Sequence, residues 1–494
     1  MLPQLEGESN PKYSSIRSEE GFYDTDKQWN VSGSFVLDWK LYPWHTVRFY
    51  QCDGFNIVAN NTVLDLNGHT VMFIPVVLQG IGNIGIAIRN KSKVTIKNGT
   101  IVDFQYGALV ENSNEVDISF LEISNSTKNG IDIHHSEKID LSFNNISQSG
   151  EKGIRIQQNS YGISILNNNI SESGYDGISI AEESSDVSIL NSRISRSEDV
   201  GIGIYENSSD VSILNSTVTD NDREGIHILN SNYNLFSGND ISRNGFHGLY
   251  LYNSNNNTIC INTIMNNQPS AIYMEIGNQN IIYHNNFLGQ QDVICVASKS
   301  AWDIGYGAER DIGYGGNYWD DYDGIDVFSG KDQDVSGSDG IGDIAREIDA
   351  DNLDRYPLLK PWGSMFVDFD VDCIVCAKEE IRQVAVFSDA SIASFDFRRT
   401  EGAMSFTAEN GTFCKLIIPE EILSGSFLVT VNDVPTACIA YWDEYHHFIN
   451  FSLSLENCSV KIRGETAISG DINGDGKVDI IDITLVATNF GSET

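Results

Sequence analysis

A glycine followed by an apolar-x-apolar triplet returns at Gly85, Gly107, Gly130, Gly153, Gly177, Gly201, Gly225 and Gly248, then with Ala271 in the glycine slot. The intervals are 22, 23, 23, 24, 24, 24, 23 and 23 residues. A period this constant excludes a set of unrelated loops and requires a solenoid that adds one coil per repeat, each coil packing on its neighbours.

Inside each repeat the alternation has period two. Gly130-Ile131-Asp132-Ile133, Gly177-Ile178-Ser179-Ile180 and Gly225-Ile226-His227-Ile228 send aliphatics inward and the middle residue outward. A second alternating run follows (Ile139 and Leu141, Ile163 and Ile165, Val187 and Ile189, Val211 and Ile213), and a third at Ile146, Ile170, Ile194, Val218 and Ile241. Three strands per turn stacked ~4.8 Å apart make a parallel β-helix, right-handed by the sterics of the crossover. Two positions before the third strand stand Asn144, Asn168, Ser192, Ser216, Asn239, Asn262 and Asn285. Such a column can hold a tight inner turn while its amides bond from coil to coil.

The chain has 494 residues, and 31 basic against 69 acidic side chains give it a formal charge of -38. That charge repels nucleic acid and anionic lipid, so neither is expected as a partner. No run of 18 apolar residues predicts a membrane span, and no secretory leader is evident in the sequence as given. Five of the eight cysteines (Cys373, Cys376, Cys414, Cys438 and Cys458) crowd together, which suggests one or two bridges in an extracellular or cell-surface protein.

On the first strand the outward ladder reads Asp132, Arg155, Ser179, Gly203, His227, Tyr250, Tyr273, and two residues further on His134, Gln157, Ala181, Tyr205, Leu229, Tyr252, Glu275. Charges at one end and tyrosines at the other suit a sugar polymer, with rings on pyranose faces. Tyr205, Tyr250, Tyr252, Tyr273 and Glu275 are the expected substrate-binding residues. Asp132, His134, Arg155 and His227 are the candidates for catalysis, His227 by proton transfer with a tyrosine one coil away. Asp132 and Arg155 are equally close enough for an ion pair. Intervals of 22 to 24 residues leave no room for long loops to wall a groove, which favours an open binding face over an enzyme.

The opening Val63-Leu64-Asp65-Leu66-Asn67-Gly68-His69-Thr70-Val71, the coils, and the closing Gly316-Asn317-Tyr318-Trp319-Asp320-Asp321-Tyr322-Asp323-Gly324, Asp339 to Asp343 and Tyr356-Pro357-Leu358 resemble the NosD-like right-handed β-helix family over roughly residues 50–362. The resemblance implies a β-helix closed by this segment. Members of that family include copper-delivery, carbohydrate-binding and sugar-cleaving proteins, and soft copper ligands do not cluster in these coils. The aspartates between Asp320 and Asp354, on glycine-rich loops, offer hard oxygens for a structural calcium.

Asp471-Ile472-Asn473-Gly474-Asp475-Gly476-Lys477-Val478-Asp479-Ile480-Ile481-Asp482 is a calcium loop by spacing. Asp471, Asn473, Asp475, Asp479 and Asp482 supply side-chain oxygens at positions 1, 3, 5, 9 and 12, Lys477 its carbonyl at position 7, and Gly476 the turn. The loop and the amphipathic run Val478 to Phe490 resemble one type I dockerin repeat over about residues 468–491, where the family carries two. The resemblance implies Ca2+ and a cohesin-like domain, or a second dockerin-like repeat, as partner.

The expected plan is therefore mainly β: a cap at 1–50, a right-handed parallel β-helix of about ten coils at 51–312, an Asp/Gly-rich cap at 313–362, a small β-sandwich at 365–464, and a half dockerin module with its calcium loop and helix at 465–494. Three functions compete: a surface protein that engages a polysaccharide or other glycan, a polysaccharide lyase, glycoside hydrolase or epimerase, and a non-catalytic structural protein.

Overall fold

Each repeat glycine stands where the backbone nearly touches the next coil. A Cβ on Gly130 would lie 2.4 Å from Ile146 Cγ2 and 2.7 Å from the Gly153 carbonyl oxygen, so a side chain there would force the coils apart. Ala271 takes the slot without this clash because the pairing slips above it, Ser270 facing Asp292 and Ile272 facing Val293.

The computed structural model describes residues 22–25, 27–37, 46–50, 52–75, 83–289, 292–305, 315–364, 366–375, 378–398, 401–420, 422–442, 446–453 and 457–465. The chain divides into two compact units, Met1–Trp302 with Glu347–Leu353, and Asp303–Arg346 with Asp354–Thr494.

The first unit is a right-handed parallel β-helix. The first strands of its coils form one sheet of twelve, from Trp29–Val31 through Ile131–His134, Ile154–Gln157, Ile178–Ile180, Ile202–Ile204, Ile226–Leu229 and Leu249–Tyr252 to Asp292–Val296. Neighbours pair in parallel, as Asp132 opposite Arg155 and His227 opposite Tyr250. Twelve strands make about eleven turns. The winding already includes Trp29–Val31, which pairs with Phe55–Ile57, in the stretch expected to be a cap. Trp29, Phe49 and Phe55 meet edge to face there, with centroids 5.5 to 5.8 Å apart.

Inward aliphatics form continuous columns. Ile133, Ile156, Ile180, Ile204, Ile228, Leu251 and Met274 are fully buried, each such side chain stabilising the coil by about 1.5–3 kcal/mol. The Asn/Ser column closes the inner turn: Asn239 Nδ2 donates to Asn262 Oδ1 at 2.9 Å and to the Ile213 carbonyl at 2.8 Å, and Asn239 Oδ1 accepts from the Ser216 N–H at 2.9 Å. At the corner just before it Asn167, Asn191 and Asn215 adopt left-handed φ of 54, 50 and 47°, which asparagine tolerates well.

The second unit begins with the Asp-rich segment. Its carboxylates serve the backbone: Asp326 accepts from the Asp339 and Gly340 N–H groups at 3.0 and 2.7 Å, Asp343 from Val327 and Phe328, each at 3.1 Å, and Asp354 from Asn317 N–H at 2.8 Å and Trp319 Nε1–H at 2.9 Å. Asp321 pairs with Arg346 at 2.8 Å. Through these contacts the aspartates brace the loops of the segment. Gly316 is glycine because a Cβ would meet the Asp354 carboxylate. Ile341, Tyr356 and Leu358 then pack with Phe387 and Phe413.

Two five-stranded antiparallel sheets follow, one containing Lys378–Ser388, Phe413–Pro419 and His446–Ser452, the other Ala403–Glu409, Ser424–Val431 and Cys458–Glu465. Both line one core, with Val386, Leu416 and Ile449 from the first and Phe406, Val429 and Ile462 from the second. Cys414 and Cys438 are free thiols and do not bridge each other. They lie on the two strands flanking His446–Ser452, both opposite Phe451, two strand spacings apart and beyond disulfide reach. The calcium loop expected at 471–482, the helix expected after it, and Cys376 lie outside the described residues.

Candidate functional site

The outward residues of the first strand stack in register, Asp132, Arg155, Ser179, Gly203, His227, Tyr250 and Tyr273 each opposite the next. At one end Arg155 is committed. Its Nε and Nη2 donate to Asp132 Oδ1 and Oδ2 at 3.1 and 2.9 Å, and Asn129 Nδ2 donates to Asp132 Oδ2 at 3.1 Å. Asp132 is 1% exposed. Of the two roles the sequence allowed this pair, a closed ion pair is the one realised, and neither group faces solvent as a free acid or base. His134 stands beside His135, ring centroids 6.3 Å apart. It lies four coils from the level of His227, or ~19 Å at the strand spacing, so the four catalytic candidates do not converge.

At the other end the rings do converge. The Tyr205 ring lies across Gly203, where a Cβ would fall 2.2 Å from it. His227 meets Tyr205 edge to face at 5.5 Å and stacks on Tyr250 at 4.7 Å, and Tyr250 meets Tyr273 at 5.3 Å. The Tyr250 hydroxyl donates to Glu275 Oε2 at 3.4 Å. Tyr252 pairs with Glu275 on the adjoining column. The expected substrate-binding residues therefore lie together on one face.

A further column escaped the sequence reading. At most coils the residue just before the repeat glycine (Asn129, Lys152, Asp176, Glu224, His247, Ser270) contacts this face. Lys152 Nζ reaches Asp176 Oδ2 at 3.2 Å. His247 stacks on Tyr273 at 4.8 Å, and its Nδ1 lies 2.6 Å from Ser270 Oγ. Arg223, 54% exposed, spans Asp199 at 3.3 Å and Glu224 at 3.4 Å, while the Glu224 side chain is 0% exposed. Glu224 Oε2 and His227 Nε2 are buried without a hydrogen-bond partner. The signal was present as ionisable residues recurring at one slot of the repeat, but this slot belongs to a turn, where alternation does not say which way a side chain points. Exposed Tyr175 and Phe246 flank the column one residue earlier.

Burial sets the electrostatics. It holds His227 and His247 down at about 4, Arg223 adding to the effect at His227. It pushes the carboxyl of Glu224 up, against its backbone N–H and Arg223, and that of Asp176 up against Lys152. The Tyr205 phenol is raised by burial and by the charges of Asp176, Asp199 and Glu224, and that of Tyr250 to about 12 by burial and Glu275. At neutral pH the site thus presents uncharged imidazoles and phenols beside carboxyl groups. A separate depression of about 410 Å3, lined by His135, Glu137 and Tyr161 among others, contains none of these side chains.

Winding and site together define a right-handed parallel β-helix with an aromatic and ionisable stripe along its first-strand face. The family model described as "Right handed beta helix region" matches residues 84–230 and, in an overlapping placement, 161–307. No curated protein sequence matches the chain. Among solved structures the chain is similar to the periplasmic alginate epimerase AlgG, at 15% identity over 58% of this chain and 79% of that one, TM-score 0.48. It is also similar to the Dettilon tailspike protein gp208, at 12% identity over 84% and 87%, TM-score 0.40, and to the Streptococcus pneumoniae surface adhesin PfbA, at 14% over 51% and 80%, TM-score 0.38. Among the described residues no helix is long and apolar enough to cross a membrane.

Proposed function

We propose that the β-helix engages a carbohydrate chain along its first-strand face and is displayed at or outside the cell surface through its terminal calcium loop. The observation that carries the reading is the row of rings Tyr205, His227, Tyr250 and Tyr273, in contact from coil to coil. Rings set one strand spacing apart, ~4.8 Å, repeat at close to the length of a glycosyl unit. Phenol and imidazole edges beside Glu275 supply hydrogen bonds to hydroxyls, and the faces supply apolar contact. Calorimetric titration against a panel of acidic, neutral and amino-sugar oligomers tests it. Tyr250→Ala with Tyr273→Ala should cost about tenfold in affinity, the worth of one to two ring contacts, and an unchanged affinity sinks the reading.

The NosD-like and dockerin resemblances belong to the same proposal. The oxygen set of Asp471, Asn473, Asp475, Lys477, Asp479 and Asp482 has the hardness and spacing that Ca2+ takes. The two antiparallel sheets would act as a sandwich-like spacer to that module. Calcium-dependent association with a cohesin-like domain or a second copy, lost in Asp471→Ala, is the matching assay.

A second reading, an enzyme that cleaves or epimerises the glycan, draws on His227, whose neutral ring keeps Nε2 without a partner beside Tyr205 and Tyr250. New reducing ends, unsaturated-sugar absorbance or a changed sugar configuration by NMR, abolished by His227→Ala, would establish it. None of the three alongside saturable binding would leave the binding reading alone. Failure of both would leave a structural surface protein.

A further inference from the structure

We infer that this face accepts a glycan free of carboxylates and sulfates, and favours units bearing a protonated amine. The inference rests on the carbohydrate reading above and specifies its ligand.

Three cations of the stripe are already spent on its own acids. Arg155 makes two bonds to Asp132, Lys152 holds Asp176, and Arg223 spans Asp199 and Glu224. At the far end Lys128 sits over the Tyr106 ring, 5.6 Å from its centre. Against Lys128, Lys152, Arg155 and Arg223 stand Asp132, Asp176, Asp199, Glu224 and Glu275, an excess of one acid on a chain of formal charge -38. An arriving carboxylate would have to break an internal pair and leave a buried partner such as Asp132 uncompensated, a loss that charge complementarity cannot recover. The two imidazoles offer it no positive charge, being neutral beside the rings.

An ammonium meets the reverse situation. Glu224, fully buried, keeps Oε2 without a partner, while the guanidinium above it is half in solvent. Arg223 therefore occupies, from within the chain, the place a ligand amine would take between Asp199 and Glu224. Glu275 at the next ring positions adds acceptor capacity beside Tyr250. Exposed Tyr175 and Phe246, on the coils to either side of Asp199 and Arg223, bracket the acids with apolar faces, the pairing of ring and carboxylate that suits an amine on a sugar.

The test compares three oligomers of equal length at pH 6 and one ionic strength: glucosamine, its N-acetylated counterpart, and galacturonate. The expected order of affinity is glucosamine, then N-acetylglucosamine, with galacturonate weaker by about tenfold or more. Galacturonate binding as tightly as either of the others overturns the inference while leaving the carbohydrate reading standing. No binding by any of the three, nor by a neutral glucan, removes that reading and the inference with it. Three variants localise the effect. Asp199→Asn should shrink the ratio between glucosamine and N-acetylglucosamine, and Asp132→Asn, checked for folding by its thermal midpoint, should release Arg155 and raise galacturonate binding. A glucosamine preference untouched in Asp199→Asn and in Glu275→Gln would place the amine elsewhere and overturn the assignment to this face.

Discussion

Gly203 shows how one missing side chain shapes the site. The Tyr205 ring occupies the space a Cβ would need, 2.2 Å away, so Gly203→Ala must lift the ring from the sheet and away from His227. A loss of glycan affinity comparable to Tyr205→Ala, with the fold retained by circular dichroism, is the expected result. His227 offers a second check. Burial lowers it from 6.5 to about 4, so the folded protein refuses a proton that the unfolded chain takes up below about pH 6.5. Stability from this residue is complete above that value and is lost as pH falls towards 4, and His227→Gln should make the urea midpoint decline less steeply across that window. The outward ladder was legible in the sequence because alternation beside a repeat glycine leaves each side chain only two directions. That Arg155 is closed onto Asp132 was not decided there because strand parity places the two side by side without saying whether they pair, and that Glu224 and His247 join the face was not, because their slot belongs to a turn.

The strand columns were legible for a local reason: every coil must supply its own glycine, aliphatics and corner residue, so the requirement is written once per repeat. The asparagine ladder is the clearest case. Asn239 satisfies three buried groups on adjoining coils, and Asn239→Ala should lower unfolding free energy by about 2–3 kcal/mol, read by denaturant titration. Ser216 sits in the same column and bonds through its hydroxyl to the Leu214 carbonyl and the Ser192 N–H. Ser216→Asn would extend the amide run down from Asn239 and should add about 1 kcal/mol. The Asp-rich segment is less legible for the opposite reason. Carboxylates among glycines read alike whether they bind a cation or cap loop N–H groups, and spacing alone does not separate the two.

Across the whole molecule the two units should answer acid differently. In the second unit burial raises Asp326 and Asp354 from 3.8 to about 7, so the folded state holds protons that the unfolded chain releases above about pH 4. The contribution of these groups is complete below that value and is lost as pH rises through about 7. Hydrogen exchange, corrected for intrinsic rate, should show residues 315–346 and 354–364 opening more readily at pH 7.5 than at 5, and Asp354→Asn should flatten that dependence. The opposite trend would mean that another set of groups governs the segment.

Because Gly130, Gly153, Gly177 and Gly201 make the same close approach to the coil that follows, whole repeats are interchangeable parts. Splicing in a duplicate of residues 130–152 ahead of Gly130 would lengthen the rod by one rung and leave the ring row undisturbed. The same-sized insert placed just ahead of Gly225 would part Tyr205 from its imidazole neighbour while keeping the coil stacking. The two insertions form a matched pair in which bonding of the scaffold is held constant and recognition alone is cut.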